Sequence, residues 1–73
     1  MDIKQEIKIL LVRNNLSMRK LIERMNEKNN TKDTVQNLSK KLSRGTIRFY
    51  EVESILDYLG YEIEIKSKDK KND

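Results

Sequence analysis

The chain contains neither cysteine nor histidine, which removes the thiolate nucleophile and the imidazole base from its chemistry. Disulfides and ordinary structural zinc sites go with them. Carboxylates and lysines remain, but no spacing gathers them around one site. The expectation is a non-enzymatic protein with no metal and no cofactor. What the sequence does concentrate is a group of amide and cationic side chains. Gln36, Asn37, Lys40, Lys41 and Arg44 fall close together, with no acidic residue between them. Asparagine and glutamine can bond an adenine edge with two hydrogen bonds, and lysine and arginine can do the same to guanine.

Charge along the chain supports a polyanionic partner. The whole protein carries +4. Residues 13–48 hold ten basic and three acidic residues, a local balance of +7. Residues 49–65 hold five acidic residues and no basic one. An even mixture would imply only a solvated surface. A polarised chain implies a basic surface for a polyanion and an acidic end turned away from it. Double-stranded DNA is the expected partner.

With 73 residues the chain forms one domain at most, and a core this small is marginal. Regular helix packing and self-association are the remaining means of stabilising it. The longest apolar run, Ile9-Leu10-Leu11-Val12, is too short to span a bilayer. The first residues lack the layout of a signal peptide. Together these predict a cytoplasmic protein without a membrane partner.

Four helices are predicted to position the polar group. Asp2 caps the first, in which Ile3, Ile7, Leu10 and Leu11 recur at helical spacing to about Arg13. Ser17 caps the second, over about 18–27, with Leu16 and Leu21 as a hydrophobic staple. Nothing in 28–33 is apolar, and Asn29-Asn30 signals a turn. Thr34 or Asp33 caps the third helix, over about 34–43, and Gly45 closes it. A fourth covers about 49–59 and ends at Gly60. On a wheel of the third helix, Val35, Leu38 and Leu42 lie within about 60°. Gln36, Asn37, Lys40 and Arg44 lie opposite, where a recognition helix would meet bases. A polar face that only keeps the protein in solution is the alternative.

Residues 16–65 resemble the lambda-repressor-like (Cro/CI/XRE) helix-turn-helix family. The resemblance is carried by Leu16-Ser17-Met18-Arg19-Lys20-Leu21-Ile22, Thr34-Val35-Gln36-Asn37-Leu38-Ser39, Arg44-Gly45-Thr46 and Ile55-Leu56-Asp57-Tyr58-Leu59-Gly60-Tyr61. It is nearest to short regulators of phages and mobile elements. The resemblance implies an all-α domain of four to five helices that binds DNA to regulate transcription. It implies that Gln36, Asn37 and Lys40 contact bases, and that Ser17, Arg19, Lys41, Arg44 and Arg48 contact phosphates. Two departures stand out. Ile22 occupies a position usually held by a small residue, and residues 26–33 lengthen a turn that is usually tight.

After Gly60 the pattern changes from helix to strand. Tyr61-Glu62-Ile63-Glu64-Ile65 alternates strictly, which predicts one short C-terminal strand. Its apolar side, Tyr61, Ile63 and Ile65, needs a partner. Antiparallel pairing of two copies about Glu64 would set Glu62 against the partner's Lys66, giving a homodimer that reads an inverted repeat. Pairing inside the chain with 46–49 is the alternative. The domain is expected to span 1–66, with 67–73 a disordered basic tail. Two rival functions remain open. One is a protein-interaction module, such as an antitoxin or a phage-encoded inhibitor. The other, RNA binding, is the weaker, because the aromatic residues sit in the acidic segment.

Overall fold

The helices begin where the sequence supplies acceptors for their first N–H groups. Asp2 Oδ1 accepts from the Gln5 N–H at 3.3 Å, and Ser17 Oγ from the Lys20 N–H at 3.0 Å. Thr34 Oγ1 accepts from the Asn37 N–H at 3.1 Å. In a computed structural model that describes residues 2–68, these caps open α1 (Ile3–Arg13), α2 (Met18–Asn29) and α3 (Val35–Arg44). Each such cap contributes about 1 kcal/mol. The last helix, α4 (Phe49–Leu59), starts differently. Arg48 offers no side-chain acceptor, so Glu51 reaches back and accepts the Arg48 N–H through Oε1 at 2.9 Å.

The ends are set by left-handed residues. Gly45 (φ 69°) closes α3 and Gly60 (φ 90°) closes α4, a conformation that a Cβ would strain. Asn30 takes the same role after α2 at φ 55°. Because closure waits for Asn30, α2 runs two residues beyond the expected Glu27.

The apolar stripes meet in one core. Ile7 and Leu11 of α1, Leu21 and Ile22 of α2, Leu38 and Leu42 of α3 and Ile55 of α4 are buried together. Leu16 packs against this cluster as the predicted staple with Leu21 requires. The helix α3 lies against both α1 and α2. Lys4 Nζ also donates to Ser43 Oγ at 2.9 Å, tying α1 to α3. The fold is therefore all-α, with four helices among the described residues.

The C-terminal strand expected at Tyr61, Ile63 and Ile65 is absent: no strand occurs among the described residues, and 61–67 has no regular structure. The physical reason is the lack of a ladder partner. The proposed in-chain neighbour, 46–49, is already committed. The Thr46 and Ile47 N–H groups both donate to the Lys41 carbonyl, at 2.9 and 3.3 Å, and Phe49 enters α4. A strand's backbone groups must be satisfied by a neighbour, whereas a helix satisfies its own. Residues 61–68 are exposed throughout, with Ile65 92% exposed. Of the expected tail, 69–73 lies outside the described residues.

Candidate nucleic-acid interface

The outer face of α3 follows from its inner one. Leu38 and Leu42 point into the core at 4% exposure each, and the helical repeat turns Gln36, Asn37, Lys40, Ser43 and Arg44 to the surface. All five are exposed. Among the described residues, the side chains of Gln36, Asn37, Lys40 and Arg44 make no hydrogen bond or salt bridge. Thr34 holds Asn37 through its backbone N–H and does not engage its side-chain amide. Two amides and two cations therefore stand on one solvent-facing side of a capped helix.

The residues expected to contact phosphates fall into two groups. Ser17 and Arg19 lie at the N-terminus of α2, both exposed. Ser17 Oγ spends an acceptor site on the Lys20 N–H, so its own O–H is available to donate to an oxyanion. Arg19, Arg44 and Arg48 are exposed with no salt bridge among the described residues.

Lys41 differs. It flanks the buried stripe and is half-buried, and its Nζ donates to Glu51 Oε2 at 2.5 Å. The Glu51 carboxylate thus caps α4 with one oxygen and holds α3 with the other. That hydrogen bond is the main reason the Glu51 carboxyl is held below its ordinary range, with the Arg48 N–H adding to it. The same bond raises the Lys41 ammonium above the ordinary lysine value, against the opposing cost of burial. Lys41, expected as a phosphate contact, is placed here as a strut between two helices.

Two features escaped the sequence reading. One is the Lys41–Glu51 pair: an acid in the first turn of a helix is favoured by the helix dipole and does not point to a lysine on α3. The other is Asn26, half-buried in the last turn of α2, whose side chain bonds the backbone of Asp33 in both directions at 2.9 Å. Lys28, in the lengthened segment, faces α4: its Nζ lies 3.9 Å from Asp57 and 5.8 Å from the Tyr58 ring centre. Lys32 is exposed without such a partner among the described residues.

Among the described residues no group of three or more acidic, histidine or cysteine side chains could hold a metal. No helix among the described residues is long and apolar enough to cross a membrane. No family model, curated protein or solved structure matches the chain.

Proposed function

We propose that this chain is a sequence-specific, DNA-binding transcriptional regulator of helix-turn-helix type, acting in the cytoplasm as a repressor by occupying a promoter. In this reading α3 enters the major groove. Gln36, Asn37 and Lys40 read base edges, while Ser17, Arg19, Arg44 and Arg48 grip phosphates. Lys41 contributes positive potential to the same side while remaining paired to Glu51. The N-terminal amides of α2 add a further attraction for a phosphate oxygen.

One observation carries the reading: the outward face of α3 bears two amides and two cations, all exposed and unpaired among the described residues, and no acidic side chain. A face that served only solubility would mix both signs and pair them along the helix.

The exposed segment with Tyr61, Ile63 and Ile65 fits a homodimer, in which each copy supplies the strand partner the other lacks. Two α3 helices would then meet an inverted repeat about one helical turn apart. Sedimentation equilibrium at about 100 μM should give a dimer, and a monomer at that concentration removes this part of the proposal.

The decisive experiment selects binding sites from a random duplex pool at about 50 and 200 mM salt. An inverted-repeat consensus recovered at both is the expected result. Binding without a consensus, lost steeply with salt, reduces the face to a nonspecific basic surface. No binding at either salt overturns DNA recognition in favour of a protein-interaction module.

A further inference from the structure

Residues 30–34 join α2 to α3 without a single apolar side chain, so no hydrophobic contact of their own can fix their path. They are nevertheless tied down, and by one residue. The Asn30 and Thr31 N–H groups donate to the Asn26 carbonyl. The Thr31 hydroxyl donates to Asn26 Oδ1 at 2.8 Å, and the Asp33 N–H donates to the same oxygen at 2.9 Å. Asn26 Nδ2 donates to the Asp33 carbonyl at 2.9 Å. The side-chain amide thus pairs with both polar groups of one peptide residue, as a neighbouring strand would. Among the described residues, every hydrogen bond from 30–33 back to α2 ends on Asn26.

The connection continues into α3. Asp33 Oδ1 accepts from the Thr34 N–H at 2.8 Å, and Thr34 Oγ1 accepts from the Asn37 N–H at 3.1 Å. A continuous hydrogen-bonded path therefore runs from the last turn of α2 to the backbone of Asn37. We infer that Asn26 is a positioning residue for base recognition: its amide fixes where α3 starts, and with it the placement of Gln36 and Asn37. This role rests on the DNA-reading function proposed above. Bidentate contacts to a base edge need close placement of the whole helix, whereas long Arg and Lys side chains follow a phosphate through small displacements. Loosening the clasp should therefore cost sequence preference before it costs attraction to DNA.

The test compares Asn26→Ala with the parent chain on the selected site and on a scrambled duplex of the same length. Asn26→Asp, which keeps an acceptor for Thr31 and the Asp33 N–H but sets a carboxylate oxygen against the Asp33 carbonyl, serves as a second variant should Asn26→Ala fold poorly. Val52→Ala serves as a control that weakens the packing of α4 away from the clasp. The ratio of specific to nonspecific affinity is expected to fall roughly ten-fold in Asn26→Ala. It should fall in Asn26→Asp as well and stay unchanged in Val52→Ala. Amide exchange at Asp33 and Asn37 should quicken in the Asn26 variants with helix content retained by circular dichroism. An unchanged ratio despite faster exchange overturns the positioning role and leaves DNA recognition standing. An equal fall of the ratio in Val52→Ala overturns it too, since general stability then explains the loss. A parent chain that prefers no sequence defeats the DNA-reading function itself, and with it this role, before any variant is made.

Discussion

As packing units α3 and α4 are nearly equivalent. They have 10 and 11 residues, and each buries two apolar side chains, Leu38 and Leu42 in the first, Val52 and Ile55 in the second. Their outer faces are opposites. The surface of α3 carries Gln36, Asn37, Lys40 and Arg44 and no acid, while α4 carries Glu51, Glu53 and Asp57 and no base. Two of those three acids turn back onto lysines of the basic segment, Glu51 onto Lys41 and Asp57 onto Lys28. Burial explains why both helices exist and does not distinguish their uses. The outer charge does: the acidic helix braces the basic one through Lys41, and the basic one faces outward with Lys40 and Arg44 unpaired among the described residues.

If the packing equivalence is real, the largest effects of substitution should be shared. Leu38→Ala and Ile55→Ala should each cost about 2–5 kcal/mol of folding stability, read as a shift in the urea midpoint. Both residues are nearly fully buried, at 4% and 3% exposure. A Leu38→Ala chain as stable as its parent would show that α3 is not seated by this stripe, and the assignment of its outer face would go with it.

The outer faces should then part. Asn37→Ala should leave stability within a few tenths of a kcal/mol of the parent, because the side chain makes no contact that folding needs. It should relax sequence preference by about 1–3 kcal/mol in competition binding. Glu53→Ala on α4 should change neither quantity. A loss of preference in Glu53→Ala equal to that in Asn37→Ala would erase the division of labour between the two helices.

A smaller effect, and one of different kind, is expected at the C-terminus of α3. Arg44→Ala should weaken binding to every duplex alike and make the slope of log affinity against log salt shallower by about one. A change in consensus without a change in slope would move Arg44 from the grip to the reading set.

Most of what sets up this contrast is local, and so is legible in the sequence. Asp2, Ser17 and Thr34 each cap the helix that follows within three residues, and Gly45 and Gly60 end theirs. The stripe of Leu38 and Leu42 fixes the opposite face by the helical repeat alone. What the residues could not show is which distant groups meet. Asn26 reaches Asp33 only because α2 runs on to Asn29 and the chain then doubles back. Lys41 finds Glu51 only because the chain turns at Gly45 and brings the first turn of α4 back to the last turn of α3. Residues 61–65 carry the alternation of a strand, but pattern specifies a face and cannot supply the neighbour that a strand requires. A helix carries its partners within itself, and the four expected helices all form.

The smallest expected effect tests the brace itself. Glu51 sits below its ordinary carboxyl range in the folded chain, so it stabilises the fold above that range. The contribution is lost as pH falls through the depressed folded value. Lys41, raised by the same hydrogen bond, stabilises below the ordinary lysine range and loses its share as pH rises through the elevated value. The brace is therefore intact near neutrality and fails first on the acid side. The Lys41 side chain is 36% exposed and that of Glu51 19%, so solvent screening keeps the net contribution at about 1 kcal/mol or less. Glu51→Gln retains an oxygen for the Arg48 N–H and removes the charge that holds Lys41. Between about pH 6 and pH 3, the parent should lose more stability than Glu51→Gln by that same small amount, measured as urea midpoints across the series. Parallel curves would mean that the acidic helix braces the basic one by packing alone, with no net electrostatic coupling between them.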